Sequence, residues 1–227
     1  ERVTAMIPVR EFSENIFLFM VTKFGEVKRI SLKDVYTVRK AGIRAFNLRE
    51  NDELIAILKT DGEQNILIAT RNGMAICFKE TDVRPTGRGA GGMRGIKLEK
   101  GDCVIGASCA TEGVALLSVT ENGYGKRTAI EEYLRGNDDR KDSQRRGGKG
   151  LKNYVITEKT GKVVAARTVS ENDDVLIISD DGTIIRTAVS DINLYGRAVQ
   201  GVRVMKVEEG VKVISMASTA KEEEQGS

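Results

Sequence analysis

The feature that most constrains the fold of this chain is an 18-residue pattern that occurs four times, at intervals of about 50 residues. The copies are LFMVTKFGEVKRISLKDV from Leu18, ILIATRNGMAICFKETDV from Ile66, LLSVTENGYGKRTAIEEY from Leu116 and VLIISDDGTIIRTAVSDI from Val175. Each has an apolar run, a Thr or Ser, a turn ending in glycine, a second short run and a polar or acidic close. Intervals of this size are typical of propeller-like or solenoid arrays, in which neighbouring units bury each other's apolar faces.

The glycine of each copy marks a turn between two strands. Gly25, Gly73, Gly123 and Gly182 lie 48, 50 and 59 residues apart. Three of them follow Asn or Asp, and these dipeptides accept the positive φ angles of a type I′ turn. The chain has only two prolines and few stretches with helical periodicity. We therefore predict a nearly all-β fold, with helix limited to single turns such as Ala129–Tyr133.

A basic element that contains glycine follows each hairpin. Its pattern is Arg, three residues, Gly, an apolar residue and then Arg or Lys, with the first copy one residue short. The copies are Arg39–Arg44 (RKAGIR), Arg88–Arg94 (RGAGGMR), Arg146–Lys152 (RGGKGLK) and Arg197–Arg203 (RAVQGVR). The third copy begins 23 residues after its hairpin glycine, against 14 or 15 in the others, which indicates an eight-residue insertion within Arg135–Ser143.

Cationic residues at the same point of every unit predict a surface for a polyanion. One basic, glycine-rich loop is usually a solvated turn, but four in register favour a ring or stripe of phosphate contacts. Arg and Lys neutralise phosphates, and glycine lets backbone N–H groups approach them, without any recognition of bases. Aromatic residues make up only 5% of the chain and tryptophan is absent, so stacking on single-stranded bases is poorly supported. Double-stranded DNA is the ligand that we expect.

Several other kinds of site are disfavoured by composition and spacing. The chain has no histidine, which removes Ser-His-Asp and Cys-His catalysis and histidine-ligated metal centres. Cys77, Cys103 and Cys109 lack CxxC spacing, which argues against zinc and a disulfide framework and favours a reducing compartment. Gly87–Gly95 is glycine-rich but has no P-loop pattern, and Asn137–Asp142 lacks the spacing of a calcium loop. We predict no metal site.

The domain organisation follows from the repeats. We predict one domain over residues 1–217 and a disordered, acidic tail over 218–227. The repeats cover about 1–48, 49–98, 99–155 and 156–207, followed by a closing strand. The chain has 40% apolar and 30% charged residues, no run of about 18 apolar residues and no secretory signal, so we expect an intracellular protein with no membrane partner.

The segment Gln144–Gly150, QRRGGKG, resembles the GyrA-box of the C-terminal domain of the bacterial DNA gyrase A protein. ENGYGKR (121–127), ATRNGMAI (69–76) and DVRPTGR (82–88) are similar to later repeats of that domain, and the resemblance covers the chain except its tail. It implies a β-pinwheel, a six-bladed disc of four-stranded sheets whose neighbouring blades exchange strands. With four repeats visible, we expect an incomplete set of blades. The box lies in the third repeat here, whereas in the family it belongs to the first blade.

The resemblance also implies a function. The family wraps duplex DNA around a basic rim, so that an ATP-dependent type II topoisomerase can introduce negative supercoils. The implied partners are duplex DNA, the N-terminal catalytic domain of gyrase A, and gyrase B in an A2B2 heterotetramer, in the bacterial cytoplasm at the nucleoid. ATP and Mg²⁺ act elsewhere in that holoenzyme, so no cofactor and no catalytic activity are expected in this segment. The five tyrosines lack the arginine and carboxylates of a DNA-cleaving site and are interpreted as packing residues.

The basic elements and the box define the predicted DNA contacts. These residues are Arg39, Lys40, Arg44, Arg84, Arg88, Arg94, Gln144, Arg145, Arg146, Gly147, Gly148, Lys149, Gly150, Lys152, Arg197 and Arg203. Two alternatives remain open. One is the related C-terminal domain of the topoisomerase IV counterpart of gyrase A, and the other is a propeller-like scaffold whose basic loops bind acidic proteins.

Overall fold

The computed structural model is built from short antiparallel strands. It describes residues 6–9, 12, 13, 15–36, 42–110, 114–134 and 142–220. The strands are β1 (Phe17–Thr22), β2 (Glu26–Ser31), β3 (Leu54–Thr60), β4 (Asn65–Thr70), β5 (Met74–Lys79), β6 (Met93–Arg94), β7 (Val104–Ala110), β8 (Ala115–Thr120), β9 (Tyr124–Ala129), β10 (Leu151–Lys152), β11 (Val163–Val169), β12 (Asp173–Ser179), β13 (Ile184–Ala188), β14 (Val202–Arg203) and β15 (Val213–Ala220). The described residues contain no α-helix, which confirms the all-β prediction.

Helical structure within the described ranges is limited to four 3₁₀ turns. These are Leu32–Val35, Glu80–Asp82, Ile130–Tyr133 and Val189–Asp191. The third lies where the sequence predicted a helical turn. In the part of the chain that the structure describes, no helix is long and apolar enough to cross a membrane.

The four predicted hairpins are present. The hairpin glycines have φ angles of +80°, +81°, +77° and +87° in chain order, in the left-handed region that glycine enters without steric cost. Each turn joins two antiparallel strands: β1 to β2, β4 to β5, β8 to β9 and β12 to β13. The turns are therefore where the sequence predicted them, but they are not type I′. Asn51 is the one non-glycine residue with a positive φ among those that the structure describes, so only the glycine of each Asn-Gly or Asp-Gly pair is left-handed.

Sheets are completed by short strands from the following repeat. The strand orders are β3-β1-β2-β6, β10-β5-β4-β7, β11-β8-β9-β14 and β13-β12-β15. In the first three sheets the outer strand β6, β10 or β14 lies in the basic element of the next repeat, and we call these two-residue segments the donated strands. Such strand exchange is the arrangement of a β-pinwheel, which the resemblance implied. The strand β3, which completes the first sheet, lies outside the predicted repeat 1–48, so the sheet and that sequence repeat have different bounds.

The hairpin glycine also holds the donated strand. In three repeats its carbonyl oxygen accepts hydrogen bonds from the two backbone N–H groups that follow the donated strand, at 2.8–3.3 Å. The donor pairs are Gly95 and Ile96 to Gly25, Asn153 and Tyr154 to Gly73, and Val204 and Met205 to Gly123. A Cβ atom at Gly123 would lie 2.1 Å from the Met205 carbonyl oxygen. Glycine is therefore required both for the turn and for this close approach.

The chain divides into two compact units. The first holds residues up to 70, 74–110 and 133–151, and the second holds residues 71–73, 111–132 and those from 152 onward. Within the first unit, inward-facing side chains of the first two sheets, such as Phe19 and Phe78, form one apolar cluster. A second cluster, with Leu117 and Ile177 at 0% exposure, joins the third and fourth sheets.

The end of the described chain differs from the sequence expectation. Strand β15 continues to Ala220, three residues past the predicted domain boundary at 217, because it pairs with β12 along that length. The rest of the predicted acidic tail, residues 221–227, lies outside the described residues.

Candidate nucleic-acid interface

The donated strands present one cation each at the same position. Their first residues, Met93, Leu151 and Val202, are partly buried, while their second residues are exposed. Successive side chains of a strand point to opposite sides, so the apolar residue of the pattern anchors the strand and the cation faces solvent. The exposed second residues are Arg94, Lys152 and Arg203. All three were predicted as DNA contacts.

The glycine that precedes the apolar residue packs against protein. A Cβ atom would lie 2.6 Å from the Phe46 ring at Gly92, 2.3 Å from the Ala75 carbonyl oxygen at Gly150 and 2.4 Å from the Gly125 carbonyl oxygen at Gly201. Real Cβ atoms essentially never come so close, so these positions need glycine for packing. Gly150 was also predicted to contact DNA, which stays a prediction, and its close neighbour in the structure is the chain itself.

The QRRGGKG loop is anchored by its glutamine and its second arginine. Gln144 is only 4% exposed; its amide nitrogen donates to the Tyr133 carbonyl (3.0 Å) and its backbone N–H to the Cys77 carbonyl (2.7 Å). Arg146 donates from Nε to the Asp82 carbonyl (3.1 Å) and from Nη1 to the Arg94 carbonyl. Gln144 was predicted to contact DNA, which stays a prediction, and in the structure its buried side chain fixes the loop.

The rest of the loop forms an open cationic cradle. The N–H of Gly147 donates to the Gly95 carbonyl, so this donor is not free for an anion, and the carbonyl of Gly148 accepts from the backbone N–H of Lys97. Arg145 and Lys149 are exposed, and the loop lines a concavity of about 460 Å³. Lys149 Nζ lies 3.7 Å from a carboxylate oxygen of exposed Glu99, a surface pair that water screens strongly. The cradle therefore presents two cations to solvent.

Two buried lysines, which sequence reasoning missed, hold basic loops in place. Lys28 is 1% exposed, and its ammonium group donates to the carbonyls of Ala45, Arg88 and Ala90 at 2.8–3.0 Å. Burial lowers the pKa of Lys28. These hydrogen bonds to carbonyls fix the backbone at Arg88. The loop that exposes the Arg88 side chain to solvent therefore has a defined conformation.

Lys126 repeats this arrangement in the third copy. It is fully buried, and its ammonium group donates to the Thr128 hydroxyl (3.1 Å) and to the carbonyls of Gly196 (2.6 Å) and Arg197. Burial, offset in part by Glu132, lowers the pKa of Lys126 to about 8. The sequence contained a signal for these lysines. Lysine occupies the position three residues after the hairpin glycine in copies one and three, whereas isoleucine occupies it in copies two and four.

The remaining predicted contacts have varied surroundings. Arg44 and Arg84 are exposed. Arg197 is partly buried, with Nε 3.4 Å from a carboxylate oxygen of Glu132. Arg39 and Lys40 lie outside the described residues.

Two of the three cysteines are held as protonated thiols by burial. Burial raises the pKa of Cys77 to about 12 and that of Cys109 to about 11, so both thiols stay protonated at neutral pH. No group of three or more Cys, Asp or Glu residues is placed to hold a metal ion in the described part of the chain.

A β-pinwheel whose donated strands each end in an exposed cation defines a class of nucleic-acid-binding domain, and comparison with known proteins identifies the family. The family model described as "DNA gyrase C-terminal domain, beta-propeller" matches residues 17–61, 64–111, 115–137, 142–170 and 173–220. The chain therefore belongs to the DNA gyrase C-terminal domain family.

Relatives and solved structures agree with this assignment. The chain is 42% identical over 227 residues to the DNA gyrase A protein of Staphylococcus epidermidis, covering 99% of this chain and 24% of that protein. It is 40% identical to the DNA gyrase A protein of Salmonella typhimurium, covering 97% of this chain and 24% of that protein. The chain thus spans about a quarter of the length of these relatives.

Two solved structures share the fold. A DNA gyrase A C-terminal domain matches with a TM-score of 0.79 at 27% identity, covering 92% of this chain and 67% of that one. The C-terminal domain of DNA topoisomerase IV matches with a TM-score of 0.85 at 24% identity, covering 94% and 65%, a likeness that shows the fold alone.

Proposed function

We propose that this domain binds double-stranded DNA through its backbone and bends it. The observation that carries the proposal is the exposed Arg or Lys at the second position of each donated strand. A strand that is hydrogen-bonded to its neighbour and anchored by an apolar side chain presents its cation at a fixed place, which lowers the entropic cost of each phosphate contact. Phosphate contacts of this kind release counterions and supply affinity that is independent of base sequence.

The predicted contact residues take two roles in this proposal. Exposed cations contact phosphates directly: Arg44, Arg84, Arg88, Arg94, Arg145, Lys149, Lys152 and Arg203. Others act through loop conformation: Gln144, Arg146, Gly147, Gly148, Gly150 and Arg197. Arg39 and Lys40 are kept as direct contacts on the strength of the repeat pattern.

The domain's role in a larger protein is inferred from its relatives. We infer that it wraps DNA for an ATP-dependent type II topoisomerase that introduces negative supercoils, and that it works with the N-terminal catalytic domain of gyrase A and with gyrase B in an A2B2 complex. Bending DNA over tens of base pairs costs on the order of several kcal/mol, which added phosphate contacts offset. The chemistry of strand cleavage is assigned to other parts of that complex, in the bacterial cytoplasm at the nucleoid.

Salt-titrated binding to a long duplex tests the proposal. We expect the logarithm of the binding constant to fall linearly with the logarithm of salt concentration, with a slope of about −0.9 for each phosphate neutralised. Ligation of nicked circles with the domain bound should also change the linking number. A flat salt response contradicts the DNA proposal and favours an acidic-protein scaffold, whereas binding with no linking-number change contradicts wrapping.

A further inference from the structure

A second cationic cavity, separate from the QRRGGKG cradle, lies beside the third hairpin turn in the second unit. Its volume is about 320 Å³, and its walls come from the hairpin turn, the donated strand β14, the turn at Lys159 and the segment Val207–Lys212. Arg203 in this cavity was predicted as a DNA contact from the sequence. Tyr124, Lys159 and Lys212 were not.

Two cations face the tyrosine in this cavity. Arg203 pairs with Tyr124 across β14 and β9, and its Nη2 donates to the Tyr124 hydroxyl at 3.1 Å. The Arg203 guanidinium carbon and Lys159 Nζ lie 5.5 Å and 5.4 Å from the centroid of the ring. The hydrogen bond from Arg203 lowers the pKa of the phenol. Because the hydroxyl oxygen accepts from Arg203, its own proton is free to be donated to an anion.

Asn122 builds the cavity by joining its turns. Its side-chain nitrogen donates to the carbonyls of Glu158 and Lys159, both at 3.1 Å. Its side-chain oxygen accepts a hydrogen bond from Lys212 Nζ. A single amide therefore ties the turns that carry both lysines to the hairpin that carries Tyr124. The cations are held in place before any ligand arrives, which reduces the cost of binding.

The first repeat has a carboxylate at the position that Tyr124 occupies in the third repeat. Glu26 occupies the position of Tyr124, opposite Arg94 in the strand pair, and forms an ion pair with Arg49. A carboxylate therefore offsets the positive charge there, whereas the third repeat has a neutral phenol at this place.

Within the described residues, no carboxylate lies within ion-pair distance of Lys159, Arg203 or Lys212. Glu208 and Glu209 also line the cavity and are exposed to solvent.

We propose that this cavity binds a phosphate group, with charge from Arg203, Lys159 and Lys212 and a hydrogen bond from the Tyr124 hydroxyl. Cationic and hydroxyl donors that converge on one concave site suit a tetrahedral oxyanion. Where the phosphate belongs to duplex DNA, the site rests on the proposed function, and a free phosphate ion offers the same chemistry.

Titration with inorganic phosphate, at an ionic strength held constant with sodium chloride, tests the site directly. The tyrosine-ring NMR signals of the labelled protein should shift saturably in the parent. Arg203→Gln should abolish the shift, and Glu208→Gln should tighten binding several-fold by removing a negative charge. Lys206→Gln loses the same charge as Arg203→Gln but lies outside the cavity, so it should bind like the parent. Thermal unfolding of each variant confirms folding, and Arg203→Gln alters only an exposed side chain.

A second arm with a long duplex identifies the source of the phosphate. If DNA occupies the cavity, the duplex perturbs the same ring signals and Arg203→Gln lowers the salt slope by about one. If the signals respond to free phosphate but not to the duplex, the site stands as one for a free anion. If the parent protein does not bind the duplex but still shows the phosphate shift, only the proposed function is contradicted, and the phosphate site is kept. A parent protein whose ring signals show no saturable phosphate shift overturns this site.

Discussion

Arg145 and Arg146 are neighbours in the sequence with the same charge, yet the fold gives them different surroundings. Arg145 is exposed, whereas Arg146 donates hydrogen bonds to the carbonyls of Asp82 and Arg94. A guanidinium group that satisfies two backbone carbonyls stabilises the loop and has fewer donors left for a phosphate. Equal charge in the sequence therefore does not mean an equal share in binding.

This contrast predicts different effects for the two substitutions. Arg145→Gln should lower the salt slope of duplex binding by about one and leave stability unchanged, because it removes a solvent-exposed cation. Arg146→Gln should lower the free energy of unfolding by about 1 kcal/mol, because charge-assisted hydrogen bonds to carbonyls are lost. Salt-titrated binding and urea denaturation measure both quantities. Two variants with identical slopes and identical stabilities would refute the distinction.

The lowered pKa of buried Lys126 leads us to expect that the stability of the protein depends on pH. Its pKa is about 8 in the folded protein, against an unperturbed value of 10.5, so the unfolded chain binds more protons between these two values. The free energy of unfolding should therefore gain a contribution that grows as pH rises from about 8 to 10.5, and that is lost as pH falls through 8.

Urea denaturation of the parent and of Lys126→Ile across this pH range measures the contribution. Isoleucine occupies the matching position in copies two and four, so the variant keeps a side chain that the fold accepts. The difference in unfolding free energy between the parent and Lys126→Ile should change in favour of the parent as pH rises from about 8 to 10.5, because Lys28, Cys77 and Cys109 titrate alike in both proteins. A difference that stays constant over this range would show that Lys126 titrates normally.

At the scale of structural elements, the hairpins were predictable and the sheets were not. Asn-Gly and Asp-Gly dipeptides report a turn through local backbone preference, so the strands on either side of Gly73 or Gly123 could be located from sequence. The partner of the next strand depends on contacts between distant residues. For this reason the sequence boundary at 48 separated β3 (Leu54–Thr60) from the sheet it completes.

A comparison of two hairpin glycines predicts how much contact with the donated strand adds to the stability cost of an alanine substitution. Gly123 and Gly182 have similar φ angles of +77° and +87°, but a Cβ atom would lie 2.1 Å from the Met205 carbonyl oxygen at Gly123 and would meet nothing within 4 Å at Gly182. Gly182→Ala should cost about 1 kcal/mol from backbone strain alone. Gly123→Ala should cost roughly 2 kcal/mol more, since the donated strand must shift.

Urea denaturation of both variants checks this difference. The two glycines lie in the same compact unit and in equivalent turns, so each variant serves as the control for the other. Equal losses of stability would mean that the close contact at Gly123 relaxes at no cost.

For the whole molecule, the repeated cations predict additive effects on binding. Arg94→Gln, Lys152→Gln and Arg203→Gln should each reduce the salt slope by about one, and the triple variant by about three, because each donated strand carries its own cation. The linking-number change after ligation of nicked circles should shrink with each substitution. A triple variant that wraps DNA as the parent does would refute the proposed role of the strand ends.

The sequence alone determined the all-β class, the four turns and the repeated placement of basic elements, because turn chemistry and periodicity are properties of residues close together in the chain. Only the tertiary structure decided which cations remain available. Lys126 contacts the backbone of Arg197, Arg146 that of Arg94, and Asn122 joins turns at Lys159 and Lys212. Burial and hydrogen bonding arise from residues far apart in sequence, so charge could be located from the sequence but its exposure could not.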